Sequence, residues 1–129
     1  MISVALVEPK TPGNIGAIAR CMKNFNLNKL ILVNPKCDHL SKESMDRASH
    51  AKDILKNAEK MSFEQLIKKF DYVIGTSAIV GTDYNISRSP LPPDKLELPN
   101  KNVVIVFGRE DHGLSNEEIL KCDFIVTIP

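Results

Sequence analysis

Three glycine-bearing stretches of this 129-residue chain gather the side chains able to hold or polarise a ligand. The first reads Pro12-Gly-Asn-Ile-Gly-Ala-Ile-Ala-Arg20. In it Arg20 lies roughly 160–200° around a helix from Ile15 and Ile18, facing away from the packing stripe together with Lys23 and Asn24. A lone outward Arg is ordinarily part of a solvated helix face, and only the company of the other two stretches gives it a binding role. The second, Gly75-Thr-Ser-Ala78, has small residues that let the main chain approach a flat ligand, and two hydroxyls that can donate to it. The third reads Phe107-Gly-Arg-Glu-Asp-His-Gly-Leu114. Glu110 stands there between two glycines, where a carboxylate can anchor an Arg or orient a polar substrate. His112 is a general base by residue type, but a lone loop His is more often simply solvated. Glu117 and Glu118 belong to a helix start, where acids suit the dipole.

All six glycines, Gly13, Gly16, Gly75, Gly81, Gly108 and Gly113, fall in three loops, each just after an expected strand. In open α/β sheets ligands bind at the carboxyl ends of strands, where close backbone approach is needed. Gly13-x-x-Gly16-x-x-Ala19 also looks like a degenerate dinucleotide fingerprint. That fingerprint wants an acidic residue near the end of the second strand, and Val33-Asn34-Pro35 occupies that place. A nucleotide-binding oxidoreductase is therefore disfavoured.

The elements that must carry these loops alternate. Ile2–Val7 is a strand, and Ile15, Ile18, Ala19, Met22 and Phe25 form one helix face, with Asn14 where an N-cap should be. Leu30–Val33 is a second strand; residues 41–56 read as a helix with a ragged apolar face. Ser62-Phe-Glu-Gln65 and Ser115-Asn-Glu-Glu118 are capping boxes that open two further helices. Tyr72–Ile74, Val103–Phe107 and Phe124–Ile128 complete the strands, and residues 81–100, with four prolines, form a long loop. Strands alternating with helices predict a single-domain, Rossmann-like α/β fold with a parallel sheet spanning residues 1–129.

Bulk composition narrows the function without choosing it. An apolar fraction of 43% and a charged fraction of 26% are those of an ordinary soluble globular domain. A net charge of +1 makes no case for a polyanion, so any nucleic-acid surface must be a local patch or be shared between subunits. No apolar run reaches the ~18–20 residues of a membrane span, and no secretion signal is visible. Cys21, Cys37 and Cys122 are odd in number and lack CxxC spacing. They read as small buried or half-buried residues in a reducing cytoplasm, with neither a disulfide framework nor a metal site.

Taken in order, the three loops resemble the SPOUT (SpoU–TrmD) superfamily, and within it the TrmH/TrmJ-like RNA 2′-O-ribose methyltransferases. Asn14-x-Gly16-x-x-x-Arg20 looks like the first motif of that family and Phe107-Gly-Arg-Glu110-x-x-Gly113-Leu114 like its second. Gly75-Thr-Ser-Ala78 and the terminal Ile128-Pro129 match cofactor-loop positions, and the likeness runs from Val4 to the last residue. The resemblance implies a trefoil-knotted sheet that binds S-adenosylmethionine, and an obligate homodimer. By the same resemblance Thr76, Ser77, Ala78, Gly108 and Ile128 line the cofactor, mostly through backbone groups. Arg20, with Lys23 nearby, meets the RNA, and Asn14 and Glu110 orient Arg20. The implied substrate is a tRNA anticodon-loop pyrimidine, with ribosomal RNA as the alternative, and no metal is required.

The sequence departs from that pattern at one place. The third motif, a Ser-Leu-Asn-type segment, is expected within roughly ten residues after Pro129, so the chain is expected to leave the knot incomplete and one sheet face uncovered. A reading of a different class follows from that departure: a non-catalytic RNA-binding remnant of the family.

Overall fold

The computed structural model describes residues 1–77, 90–91 and 101–127. In chain order they form β1 (Ile2–Val7), α1 (Pro12–Asn24), β2 (Leu30–Val33), α2 (Lys42–Ala48), a 3₁₀ turn (Ser49–Ala51) and α3 (Lys52–Lys56). There follow β3 (Glu59–Met61), α4 (Phe63–Lys69), β4 (Tyr72–Ser77), β5 (Pro90–Leu91), β6 (Val103–Phe107), α5 (Asn116–Lys121) and β7 (Phe124–Thr127). The strands make one sheet in the order β3-β2-β1-β6-β4-β7-β5, and every neighbouring pair is parallel. This is the α/β parallel sheet that the alternating pattern predicts. The knot expectation falls largely on residues 78–89, 92–100 and 128–129, which lie outside the described residues.

Strict alternation assigns the strand side chains to two faces. Ala5 and Val7 of β1 with Val104 and Val106 of β6 pack under α4 and α5, against Leu66, Ile119 and Cys122. Val4 and Leu6 point the other way, under Ile15, Ala19 and Met22 of α1 and Ile54 and Leu55 of α3. Burial on both faces explains why β2 and β6 read as unbroken apolar runs and why β1 is apolar apart from Ser3.

Both capping boxes form as read. The Ser62 hydroxyl accepts from the Gln65 N–H at 3.1 Å while the Gln65 side chain accepts from the Ser62 N–H at 2.9 Å. Ser115 and Glu118 do the same at 3.2 and 2.7 Å. Other boundaries differ. Asn14 is not an N-cap: α1 starts at Pro12 after Thr11, and no side chain caps it. Proline suits the first helical position, having a preset φ and no N–H to satisfy. The helix read over 41–56 is broken, because Ser49 takes φ 54° and splits it into α2 and α3. β4 runs on past Ile74 to Ser77, so Gly75 lies inside a strand. β3 and the two-residue β5 were not expected; neither Glu-Lys-Met nor Pro-Leu carries a strand pattern. Cys21 is exposed rather than buried, and Phe25, read as part of the packed stripe of α1, is 71% exposed.

His39 is buried, and its Nδ1 has no hydrogen-bond partner among the described residues. Burial, helped by the Lys60 charge, pushes its imidazole below the ordinary value of 6.5. The folded state therefore keeps His39 neutral where the unfolded chain would take up a proton. Stability should be level above that ordinary value and fall as pH drops below it, by at most about 1.4 kcal/mol per pH unit from this group. Urea midpoints at pH 7.5 and 5.5 measure the drop, and His39→Gln should shrink it.

Candidate functional site

The three motif-bearing stretches leave neighbouring strands of the sheet. β1 runs into the loop before α1, β6 lies beside β1, and β4 lies beside β6. The chain leaves β1 for β2 on one side while β6 flanks it on the other, so this edge is the place where the strand order reverses. Ligands of open parallel sheets collect at such a point. A cavity of about 530 Å³ opens here, lined by Asn14, Ile18 and Cys21 of α1 together with Phe107, Gly108 and Glu110. Asn14 and Glu110, separated by most of the sequence, thus share one cleft. Thr76 is tied to the same edge, its hydroxyl donating to the Val106 carbonyl at 3.0 Å.

Local geometry explains the second motif. Arg109 and Gly113 exchange backbone hydrogen bonds of 3.1 and 2.9 Å, closing residues 109–113 into a tight turn. A side chain at Gly108 would put its Cβ 2.1 Å from the Gly113 carbonyl carbon, and Gly113 itself takes φ 67°. Only glycine fits the first position, and the second favours it strongly. At the tip of the turn, the Glu110 carboxylate accepts from the backbone N–H groups of Lys10 and Thr11 at 3.3 and 3.2 Å. Asp111 takes the Lys10 ammonium at 2.7 Å. The turn after β6 therefore clips onto the loop after β1. Glu110 makes no bond to Arg20.

Arg20 is exposed, and among the described residues it has neither an ion pair nor a hydrogen bond. It is a cation facing solvent, as its helical phase predicts. Lys23 shares that exposure but is paired with Asp53 at 3.0 Å. His112 is likewise exposed, 3.5 Å from Asp111. Ser77 ends β4 opposite Thr127. Ala78 and Ile128 lie outside the described residues. Among the described residues no group of three or more His, Cys, Asp or Glu side chains could hold a metal ion.

Two parts of the sequence reading change. The Thr76 hydroxyl gives its proton to the Val106 carbonyl, so toward a ligand it can only accept. Gly16 and Gly75 serve packing more than ligand approach. A Cβ at Gly16 would lie 2.1 Å from the Ser44 carbonyl oxygen, and one at Gly75 would lie 2.8 Å from Cys122 Sγ. Sequence reasoning also passed over Glu8, Arg109 and Glu118 as a group. Arg109 donates to both oxygens of Glu118, at 2.8 and 3.0 Å, and to Glu8 at 2.5 Å.

A parallel α/β domain with a cleft at the strand-order reversal, between a loop-helix unit and a clipped turn, belongs to the class of open-sheet proteins that bind ligands at that point. Comparison with known proteins makes it particular. The model of the SpoU rRNA Methylase family matches residues 1–129, and the chain belongs to that family. It is 47% identical, over its whole length, to a tRNA (cytidine-2′-O-)-methyltransferase TrmJ of Methanocaldococcus jannaschii, of which it spans 58%. Among solved structures it resembles a probable methylase family protein from Haemophilus influenzae Rd KW20. That likeness has a TM-score of 0.87 and 36% identity, covering 99% of this chain and 55% of the other. It also resembles an AdoMet-bound rRNA methyltransferase from Sinorhizobium meliloti, with a TM-score of 0.77 and 25% identity over 99% of this chain and 47% of the other. The chain thus spans about half the length of such relatives.

Proposed function

We propose that residues 1–129 form the methyltransferase domain of an S-adenosylmethionine-dependent RNA 2′-O-ribose methyltransferase, with tRNA as substrate. The observation that carries this reading is the meeting of Asn14 and Glu110 in one cleft, in a chain 47% identical throughout to a tRNA 2′-O-methyltransferase. Action on tRNA implies work in the cytoplasm; among the described residues no helix is long and apolar enough to cross a membrane.

The residues present suit the cofactor. The Thr127 hydroxyl is buried without a hydrogen-bond partner among the described residues, at the end of β7 beside Ser77. A buried orphan hydroxyl costs about 1–3 kcal/mol unless something completes it. A polar ligand over these strand ends would do so. Thr76, Ser77 and Gly108, with Ala78 and Ile128 from the sequence pattern, are the residues that would hold S-adenosylmethionine. When bound, it supplies an electrophilic methyl group on a sulfonium sulfur.

The chain's own residues have the remaining tasks. Arg20 is a fixed cation, since guanidinium keeps its proton at any ordinary pH. Its role is to hold the RNA phosphate and stabilise negative charge growing on the ribose 2′-oxygen, rather than to remove the proton itself. Lys23, on the same face, would exchange its Asp53 partner for RNA phosphate. Asn14 orients the Arg20-bearing helix face toward the ribose. Glu110 fixes the loop from which α1 starts, and so acts on Arg20 through the backbone.

We propose that the chain works as a homodimer, with the open side of the cleft as the contact. Phe25, 71% exposed, joins Ile18, Cys21 and Phe107 on its apolar wall, and a second copy would cover that wall. Sedimentation velocity should show a dimer that Phe25→Asp converts to monomer; a monomeric wild type would sink the dimer.

Methyl transfer from labelled S-adenosylmethionine tests the activity. Label should enter tRNA and be lost when the target nucleotide carries a 2′-deoxy sugar. Incorporation that survives the deoxy sugar, or appears only in ribosomal RNA, would remove the reading as stated.

A further inference from the structure

The ion-pair group beneath the cleft has no part in the chemistry above, yet it joins three segments that the site needs. Glu8, the residue after β1, adopts φ 47°, a left-handed backbone that costs a non-glycine residue about 1 kcal/mol or more. Arg109 reaches it with one arm of its guanidinium and grips Glu118 of α5 with both. The same guanidinium donates to the Gly113 carbonyl at 3.3 Å, inside the turn it belongs to. Arg109 and Glu118 are largely buried, with side-chain exposures of 23% and 13%, so solvent screens their pair less than it would a surface pair. Burial opposes ionisation of Glu118, but hydrogen bonds from Arg109 and Ser115 outweigh it and hold the carboxyl below its ordinary value. The next residue along, Glu110, holds the N–H groups of Lys10 and Thr11, immediately before α1.

We propose that Arg109 is a positioning residue: by bridging Glu8 and Glu118 it fixes the 109–113 turn, so that Glu110 sets the loop from which Asn14 and Arg20 are presented. This rests on the methyltransferase reading for its effect on rate, but the tie itself stands on geometry alone. A planar fork bonding both oxygens of one carboxylate and an oxygen of another is not reproduced by an ammonium, a compact point charge without paired parallel donors.

The test is Arg109→Lys in the full chain, read by amide hydrogen exchange and by methyl transfer. Exchange at Lys10 and Thr11 should speed up about tenfold, while the Val73 amide, bound to Asp123 at 2.8 Å, stays within about twofold. With RNA, kcat should fall about tenfold to a hundredfold at a KM changed less than about twofold, as expected of misplacement rather than lost binding. Glu8→Gln, which keeps an acceptor but not the charge, should move both readouts the same way by less, and serves if the lysine variant folds poorly. Unchanged exchange at Lys10 and Thr11 overturns the proposal. So does a uniform rise across the sheet, or faster local exchange with kcat intact. A wild type that transfers no methyl group would overturn the functional reading instead, and the exchange result would still decide the tie.

Discussion

Replacing Arg20 with alanine should lower methyl transfer by about 10²–10³-fold, the loss typical when one preorganised donor to developing negative charge is removed. The side chain is exposed, and among the described residues nothing in the fold binds it. The change should therefore leave the urea midpoint nearly untouched, which separates a functional loss from an unfolded one. Arg20→Lys sharpens the assignment. If the guanidinium acts as a fixed cation, lysine recovers part of the rate and the pH–rate profile keeps its shape. A lysine variant that restores the rate with a displaced pH profile would make this side chain a general base, and the electrostatic role would fall. Full activity in the alanine variant would take Arg20 out of the reaction.

Gly16→Ala should cost about 3 kcal/mol of unfolding free energy, large against the roughly 5–15 kcal/mol of a typical domain. Two effects compete. Alanine gains about 1 kcal/mol in helix propensity over glycine inside α1. Against this, its Cβ would lie 2.1 Å from the Ser44 carbonyl oxygen and 3.0 Å from the Ala48 nitrogen. Both obstacles are backbone of α2, so relief requires the two helices to move apart and open the apolar layer between them. Gly13→Ala is the matched control. Its Cβ would meet only the ends of the Glu43 and Arg47 side chains, at 3.1 and 3.6 Å, which can swing away. That variant should be neutral or slightly more stable. Urea denaturation of both proteins checks the pair, and equal midpoints would mean that the helix crossing yields more easily than its geometry implies.

What could be read in the sequence was what is local. Capping boxes at Ser62 and Ser115 bind within a single turn, so four letters predict them fully. β2 and β6 are buried on both faces, and their unbroken apolar runs say so. Helical phase put Arg20 outward, correctly, but it also put Phe25 inward. Period alone cannot know that the partner surface stops before the last turn of α1. β3 escaped notice because an edge strand of Glu-Lys-Met owes its place to pairing with β2 and carries no pattern of its own. The Arg109 group escaped for a related reason: Glu8 and Arg109 stand 101 positions apart, and only the sheet order makes them neighbours. Clustering of the glycines located the site, though for Gly16 and Gly75 the cause is tight packing rather than room for a ligand.

The placement of β6 carries a consequence for how the chain acquires its shape. Ile2 lies beside Val103 in the finished sheet, so β1 waits for a strand far along the chain before its second edge is satisfied. Until then a Val-Ala-Leu-Val ribbon has one open side, the kind of unpaired rim on which nascent chains stick to one another. High contact order of this sort makes for slow closure. Refolding from denaturant should therefore be most hazardous early and at high protein concentration, before Val103–Phe107 slides between its two neighbours.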